Sequence, residues 1–188
     1  IGVQKIVAPM IESSFALSKY IKTAESFIDL EKVSLGFNLE SKQAYYNIHE
    51  MSSSSEFQRL SAITVGRGDL TESFGYDRYA GAVNSDEIYK VTRETFIIGR
   101  SHGLKCYLGG SMNMESEHFV NQLVKEGLLD YFETRNVVFS IKALDIYSFQ
   151  ELIDIAFRFE QSKMSSRRSY YEKLYNEDLT RLERLKGL

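Results

Sequence analysis

Five short apolar runs, at residues 5–10, 33–39, 62–65, 104–108 and 131–140, alternate with stretches whose apolar residues recur at helical spacing. No other feature of the chain restricts its fold as much. After the first run, Phe15, Leu17, Tyr20, Ile21, Ala24, Phe27 and Ile28 mark one face of a helix. After the second, Ala44, Tyr45, Ile48 and Met51 do the same, up to a polar loop at 52–55. The third run meets Gly66-Arg67-Gly68-Asp69 and then a stretch through Gly75 and Gly81, which predicts a long active-site loop. Asn84 and Glu87 form a capping pair for a helix carrying Ile88, Val91, Thr95 and Ile98 and closed by Gly103. Phe119, Val120, Leu123 and Val124 give the next helix, stopped at Gly127. Alternation of this kind specifies a parallel sheet joined by right-handed crossovers, with binding sites at the C-terminal ends of the strands.

Five such units predict an α/β chain forming most of a TIM-type β/α barrel. A complete barrel takes about 250 residues, and this sequence has 188. Residues 1–147 are therefore expected to form a partial barrel lacking its first strands, with 148–188 as a C-terminal helical extension. The opening Ile1-Gly2-Val3-Gln4-Lys5 runs straight into a strand with no initiator Met, which fits an N-terminal truncation. In the extension, Phe149, Leu152, Ile153, Ala156 and Phe159 make an amphipathic helix, a polar stretch follows at 162–168, and Tyr171, Leu174, Leu179, Leu182 and Leu185 line one flank of the tail. That flank suits either packing on its own barrel or an oligomerisation arm docked on a neighbouring subunit.

Hydrophobic residues at 43% and charged residues at 26% are enough for a real core without a membrane span. A net charge of -3 gives no electrostatic reason to expect a nucleic-acid partner. One cysteine, Cys106, cannot form an internal disulfide and sits in an apolar run, so a cytoplasmic setting is expected. The histidines His49, His102 and His118 lack metal-ligand spacing, and Ser41 and Ser111 have no histidine relay beside them in sequence.

Three successive strand ends carry acids: Glu12, Glu40 and Asp69. On a parallel barrel all three face one mouth. Two carboxylates completed by water and substrate oxygens suit Mg²⁺, a hard ion that keeps much of its hydration. A strand-end acid also serves as a helix cap, so each has a plain structural alternative. Gly66 and Gly68 let backbone amides approach an anionic ligand, or simply make a tight turn. Arg67 could stabilise a developing enolate, or pair with Glu72 or Asp77. Glu133 and Arg135 alternate with apolar neighbours and could form an internal ion pair or reach the mouth.

Segments 37–45, 63–75 and 102–111 resemble the HpcH/HpaI aldolase and citrate lyase family. In that family a strand-end Glu in an Ile-Glu-Thr or Ile-Glu-Ser context and a later Asp in a Gly-x-x-Asp-Leu context hold Mg²⁺ or Mn²⁺. Gly66-Arg67-Gly68-Asp69-Leu70 fits the second motif. Glu12 has the closer local match to the first, in Met10-Ile11-Glu12-Ser13, but a whole extra strand and helix lie between it and Asp69. Because the family pairs its ligands on consecutive strands, the resemblance assigns Glu40 and Asp69 as metal ligands and leaves Glu12 beside the substrate.

The resemblance implies a Mg²⁺-dependent carbon–carbon lyase acting on a pyruvate- or oxaloacetate-like 2-oxo acid, or on a citrate-lyase-type acyl-CoA substrate. The Gly68 and Asp69 amides, next to Gly66, would hold the substrate carboxylate, and assembly as a trimer or hexamer is expected. Arg67 stands where the family has a small residue, and nothing here corresponds to the family's early-strand Arg, so this stretch alone is expected to be inactive. Two other readings compete: a barrel without catalysis that serves as a binding or assembly subunit, and a phosphoenolpyruvate-using barrel enzyme.

Overall fold

The structure, a computed structural model, describes residues 2–79 and 81–185. Ile1 therefore lies outside the described residues, as does the side chain of Leu185. Six strands form one sheet in sequential order: β1 (Lys5–Ala8), β2 (Ser34–Leu39), β3 (Ala62–Gly66), β4 (Lys105–Gly109), β5 (Tyr131–Glu133) and β6 (Val138–Ser140). The first five run parallel, and β6 returns antiparallel to β5. Sequential parallel order with a helical crossover at each step curls the sheet into a half-barrel.

Strand alternation sets the two faces. Leu35, Phe37, Leu39, Ile63, Val65, Cys106, Leu108 and Phe132 are buried on the outer face. Helices α1 (Ser14–Phe27), α2 (Lys42–Tyr46), α3 (Ile48–Ser52), α5 (Asp86–Ser101) and α6 (Glu117–Lys125) contribute buried residues to the same core, including Leu17, Ile21, Met51, Ile88, Phe96 and Leu123. Ser13 caps α1 by accepting from the Ala16 amide at 3.2 Å. Asn47 breaks the helical stretch after β2 into α2 and α3, and its side chain donates to the Glu12 carbonyl at 2.7 Å.

The structure departs from the sequence reading in four places. Residues 131–140 are a hairpin rather than one strand, because Thr134, Arg135 and Asn136 are three consecutive polar residues that cannot alternate across a half-buried sheet. The Thr134 amide instead closes the turn on the Val137 carbonyl at 2.9 Å. The stretch after β3 opens as a helix, α4 (Arg67–Ser73), with Leu70 and Thr71 buried, not as a loop. The cap of α5 is Ser85, which accepts from the Ile88 amide, while Asn84 is used elsewhere. The C-terminal extension is one continuous helix, α7 (Phe149–Leu185), since its sequence contains no Gly or Pro to stop it. Its first two turns bury Phe149, Leu152, Ile153 and Ala156, and residues 161–183 are all exposed. No described helix is long and apolar enough to cross a membrane.

Candidate active site at the strand ends

The register brings specific residues together at the C-terminal end of the sheet. Leu39 pairs with Val65 and Gly66 with Gly109, so Glu40, next after β2, falls level with these two glycines on the concave side. Glu40 is only 7% exposed. Its carboxylate accepts from the Met10 amide at 3.0 Å and from the Asn38 side chain at 3.3 Å. Met10 takes a φ of 52°, uncommon for a residue with a side chain, and this conformation aims its N–H at Glu40. Burial raises the Glu40 pKa above the usual carboxylate range, the Met10 hydrogen bond opposes that, and the nearby Asp69 charge adds to it.

Gly66 exists for Glu40. A Cβ there would lie 2.8 Å from Glu40 Oε2 and 3.1 Å from its Cβ. Gly68 is tight for a related reason, as a Cβ would meet Ser111 Oγ at 3.2 Å. Gly110, with a φ of 79°, presses its backbone over the start of α4, where a Cβ would come 2.4 Å from the Gly68 nitrogen. Packing therefore already accounts for each of these glycines, and Gly110 roofs the Gly68 amide.

Asp69 lies in the first turn of α4, close enough to raise the pKa of Glu40, and remains half exposed. It accepts from Arg78, which also forms a bidentate pair with Glu72 at 2.6 and 2.7 Å. These two carboxylates, Glu72 first, raise the pKa of Arg78 further. Glu12 accepts from the Ser41 hydroxyl and is pinned where β1 passes the start of α2. Thus Glu40 and Asp69 come together, and Glu12 is held at the side. The two carboxylates suit a hard divalent ion: buried Glu40 has two donors for its oxygens, and the mutual repulsion with Asp69 is what a cation between them would relieve. The described residues hold no cluster of three or more His, Cys, Asp or Glu side chains suited to a metal, so an ion held by these two carboxylates would need water or substrate for its other ligands.

Arg67 is not where its sequence position suggested. Its side chain is fully buried and pairs with neither Glu72 nor Asp77. Nη1 donates to Asn84 Oδ1 at 2.6 Å, and Nη2 to the Gly110 carbonyl and Ser116 Oγ, both at 3.2 Å. Nε reaches the Gly109 carbonyl at 3.4 Å, and the guanidinium packs 4.8 Å from the Phe119 ring centre. Burial pushes its pKa down to about 9, which still leaves it charged at neutral pH. Arg67 is a clamp behind the site, tying α4 to the end of β4, and it does not face the mouth.

A cleft of about 490 Å³ is lined by Arg78, the partner of Asp69, and by Ser111, Met112, Glu133, Arg135 and Phe157. Arg78 is a functional candidate that sequence reasoning missed, because a lone Arg in a loop has no motif. The ion pair expected between Glu133 and Arg135 is not made: Glu133 lies on β5, and Arg135 is exposed in the turn beyond it. Cys106 is buried, and burial pushes its thiol up to about 12, which leaves it unreactive.

No protein-family model matches the sequence, and no curated protein matches it either. Solved structures do match the fold. Citrate synthase SbnG superposes with a TM-score of 0.56 at 14% identity, covering 89% of this chain and 64% of that one. An HpcH/HpaI aldolase/citrate lyase family protein from Burkholderia cenocepacia J2315 gives 0.57 at 12% identity, covering 88% and 66%. The chain shares its fold with HpcH/HpaI aldolases and citrate lyases. A citrate lyase beta subunit from M. tuberculosis, solved with oxaloacetate and magnesium, gives 0.50 at 12% identity, covering 70% of this chain and 55% of that one. The chain thus spans about two thirds or less of the length of these structures.

Proposed function

We propose that this chain is part of a Mg²⁺-dependent carbon–carbon lyase acting on a 2-oxo acid. The observation that carries the reading is the convergence of buried Glu40 and Asp69 on one strand-end mouth, with Gly66 kept free of a side chain to admit the Glu40 carboxylate. The M. tuberculosis relative of the same fold, solved with oxaloacetate and magnesium, supports both the ion and the substrate class. Glu40 and Asp69 would hold the ion, which supplies Lewis-acid polarisation of the 2-oxo group when bound.

The chain's own residues do the rest. Met10 and Asn38 orient Glu40 through hydrogen bonds. Arg78, which bridges Asp69 and Glu72, would take the substrate carboxylate together with the Asp69 amide, since Gly110 fills the space over the Gly68 amide. Glu12 acts through Ser41 at the rim. Arg67 is a positioning residue that fixes the Gly109–Gly110 turn behind the cleft.

Release of pyruvate from 4-hydroxy-2-oxo acids by the whole protein that contains this chain, followed with and without a chelator, tests the reading. Magnesium-dependent release supports it, and equal rates in chelator refute the metal mechanism. A second reading, a non-catalytic assembly subunit, draws on α7, whose exposed Phe159, Met164, Tyr171, Leu174 and Leu182 leave an apolar flank suited to a second copy of the chain. Sedimentation of a Tyr171→Glu, Leu182→Glu variant checks that contact.

A further inference from the structure

A second carboxylate lies on the same transverse row as Glu40, on the opposite side of the mouth. Leu108 pairs with Phe132, so Glu133 is level with Gly109, and Gly109 is paired with Gly66. The row reads Glu40, Gly66, Gly109, Glu133 across β2 to β5. Each glutamate lies over the glycine of its inner neighbour. A Cβ on Gly109 would stand 2.7 Å from Glu133 Oε1, just as one on Gly66 would stand 2.8 Å from Glu40 Oε2. The two side chains thus lean toward each other over a floor without side chains.

Their surroundings differ. Glu40 is held by two donors, Glu12 by Ser41, and Asp69 by Arg78. Glu133 is partly buried and accepts no hydrogen bond from any described residue. It also lines two clefts, the 490 Å³ cleft beside Arg78 and Ser111 and a second one of about 340 Å³ on the concave face, lined by Lys5, Thr64 and Tyr107. A carboxylate that no neighbour holds, at the junction of two clefts, is free to accept a proton from a bound molecule and to give it back.

We propose that Glu133 is the catalytic acid–base of the lyase reaction. This deepens the reading above and rests on it. In cleavage of a 4-hydroxy-2-oxo acid, the Glu133 carboxylate takes the proton of the 4-hydroxyl. The C3–C4 bond breaks as that C–O becomes a carbonyl, and the electron pair of the broken bond passes into the enolate of the 2-oxo acid. The same proton then moves from Glu133 to C3. Aldehyde and 2-oxo acid leave, Glu133 is again a carboxylate, and no further reactant is needed.

The electrostatic setting suits a group that must hold a proton briefly. Burial raises the Glu133 pKa, and Lys5 on β1 opposes the shift. The other charged or titratable groups facing the two clefts are Tyr107 on β4, Arg78 before α5, Arg135 in the turn, and Glu160 on α7.

The test is exchange of the C3 protons of pyruvate, 2-oxobutyrate and oxaloacetate for deuterium, followed by NMR with Mg²⁺. Wild type is compared with Glu133→Gln and Glu133→Asp, and oxalate binding in the presence of Mn²⁺ is measured on each. The proposal expects Glu133→Gln to lose roughly 100-fold or more in exchange while oxalate binding stays intact. Glu133→Asp should recover part of the rate with a shifted pH profile. Exchange by Glu133→Gln within a few-fold of wild type overturns the proposal and leaves the lyase reading standing. Loss of oxalate binding along with exchange assigns Glu133 a structural role and also overturns it. All are measured on the whole protein that contains this chain, and no exchange of any of the three acids by that wild-type protein overturns both.

Discussion

Replacing Arg67 by Met keeps most of the volume of the side chain and removes its charge and every donor. Three of the guanidinium's hydrogen bonds, to Asn84, Gly110 and Ser116, are 3.2 Å or shorter. Hydrogen bonds to a charged group contribute roughly 1.5–3 kcal/mol each, so their loss costs about 6 kcal/mol. Relief from burying an ion that has no carboxylate partner, several kcal/mol in general, offsets about half of that. The net expectation is a destabilisation of about 3 kcal/mol. With a urea m-value of about 2 kcal/mol/M for a domain of this size, the unfolding midpoint falls by about 1.5 M. Circular dichroism across a urea series measures it, and an unchanged m-value shows that the unfolded state is not what moved. Arg67→Lys, which keeps the charge without the fork, should fall between wild type and Met. A Met variant as stable as wild type would refute the clamp and return Arg67 to consideration as a group that faces the mouth.

Three further outcomes follow from the strand-end geometry. Gly66→Ala places a methyl 2.8 Å from Glu40 Oε2, so it should cost about 1–3 kcal/mol and weaken Mn²⁺ binding as strongly as Glu40→Gln does; calorimetry on both reads this. Because the folded-state pKa of Glu40 is raised, its contribution to stability is full at acid pH and is lost as pH rises through that raised value. Glu40→Gln should therefore raise the thermal midpoint of the metal-free protein at neutral pH, with the gain vanishing below the ordinary carboxylate range. Arg78→Gln removes a part-exposed cation from Asp69, and a contact of this kind is worth about 1 kcal/mol, so Mn²⁺ should bind roughly fivefold tighter by titration.

Much of the fold was legible because apolar alternation is set by burial. β1 to β4 and the buried faces of α1, α3, α5 and α6 follow from residues such as Phe37, Ile63, Leu108 and Ile88 that must leave water. The hairpin at 131–140 and the unbroken α7 turn on local sequence, a run of three polar residues and the lack of Gly or Pro, whereas the misreadings around the site depend on contacts distant in sequence. Gly66-Arg67-Gly68-Asp69 reads as a turn until Gly110, more than forty residues on, packs its backbone against the start of α4. Arg67 looks exposed until the carbonyls of Gly109 and Gly110 and the side chains of Asn84 and Ser116 are seen around it. In the candidate site, strand-end position put Glu12, Glu40 and Asp69 at one mouth, and the family resemblance singled out Glu40 and Asp69. Nothing local marked Arg78 or the lean of Glu133 over Gly109, since those follow from loop closure and strand register.

The most direct measurement is calorimetric titration of Mg²⁺ and Mn²⁺ into the full chain, wild type beside Glu40→Gln, Asp69→Asn and Glu12→Gln, with and without oxalate. The account expects binding by wild type and Glu12→Gln, loss in the Glu40 and Asp69 variants, and tighter binding with oxalate present. Wild-type protein that binds neither ion, even with oxalate, would contradict the metal-dependent lyase and leave the assembly subunit as the better description of this half-barrel.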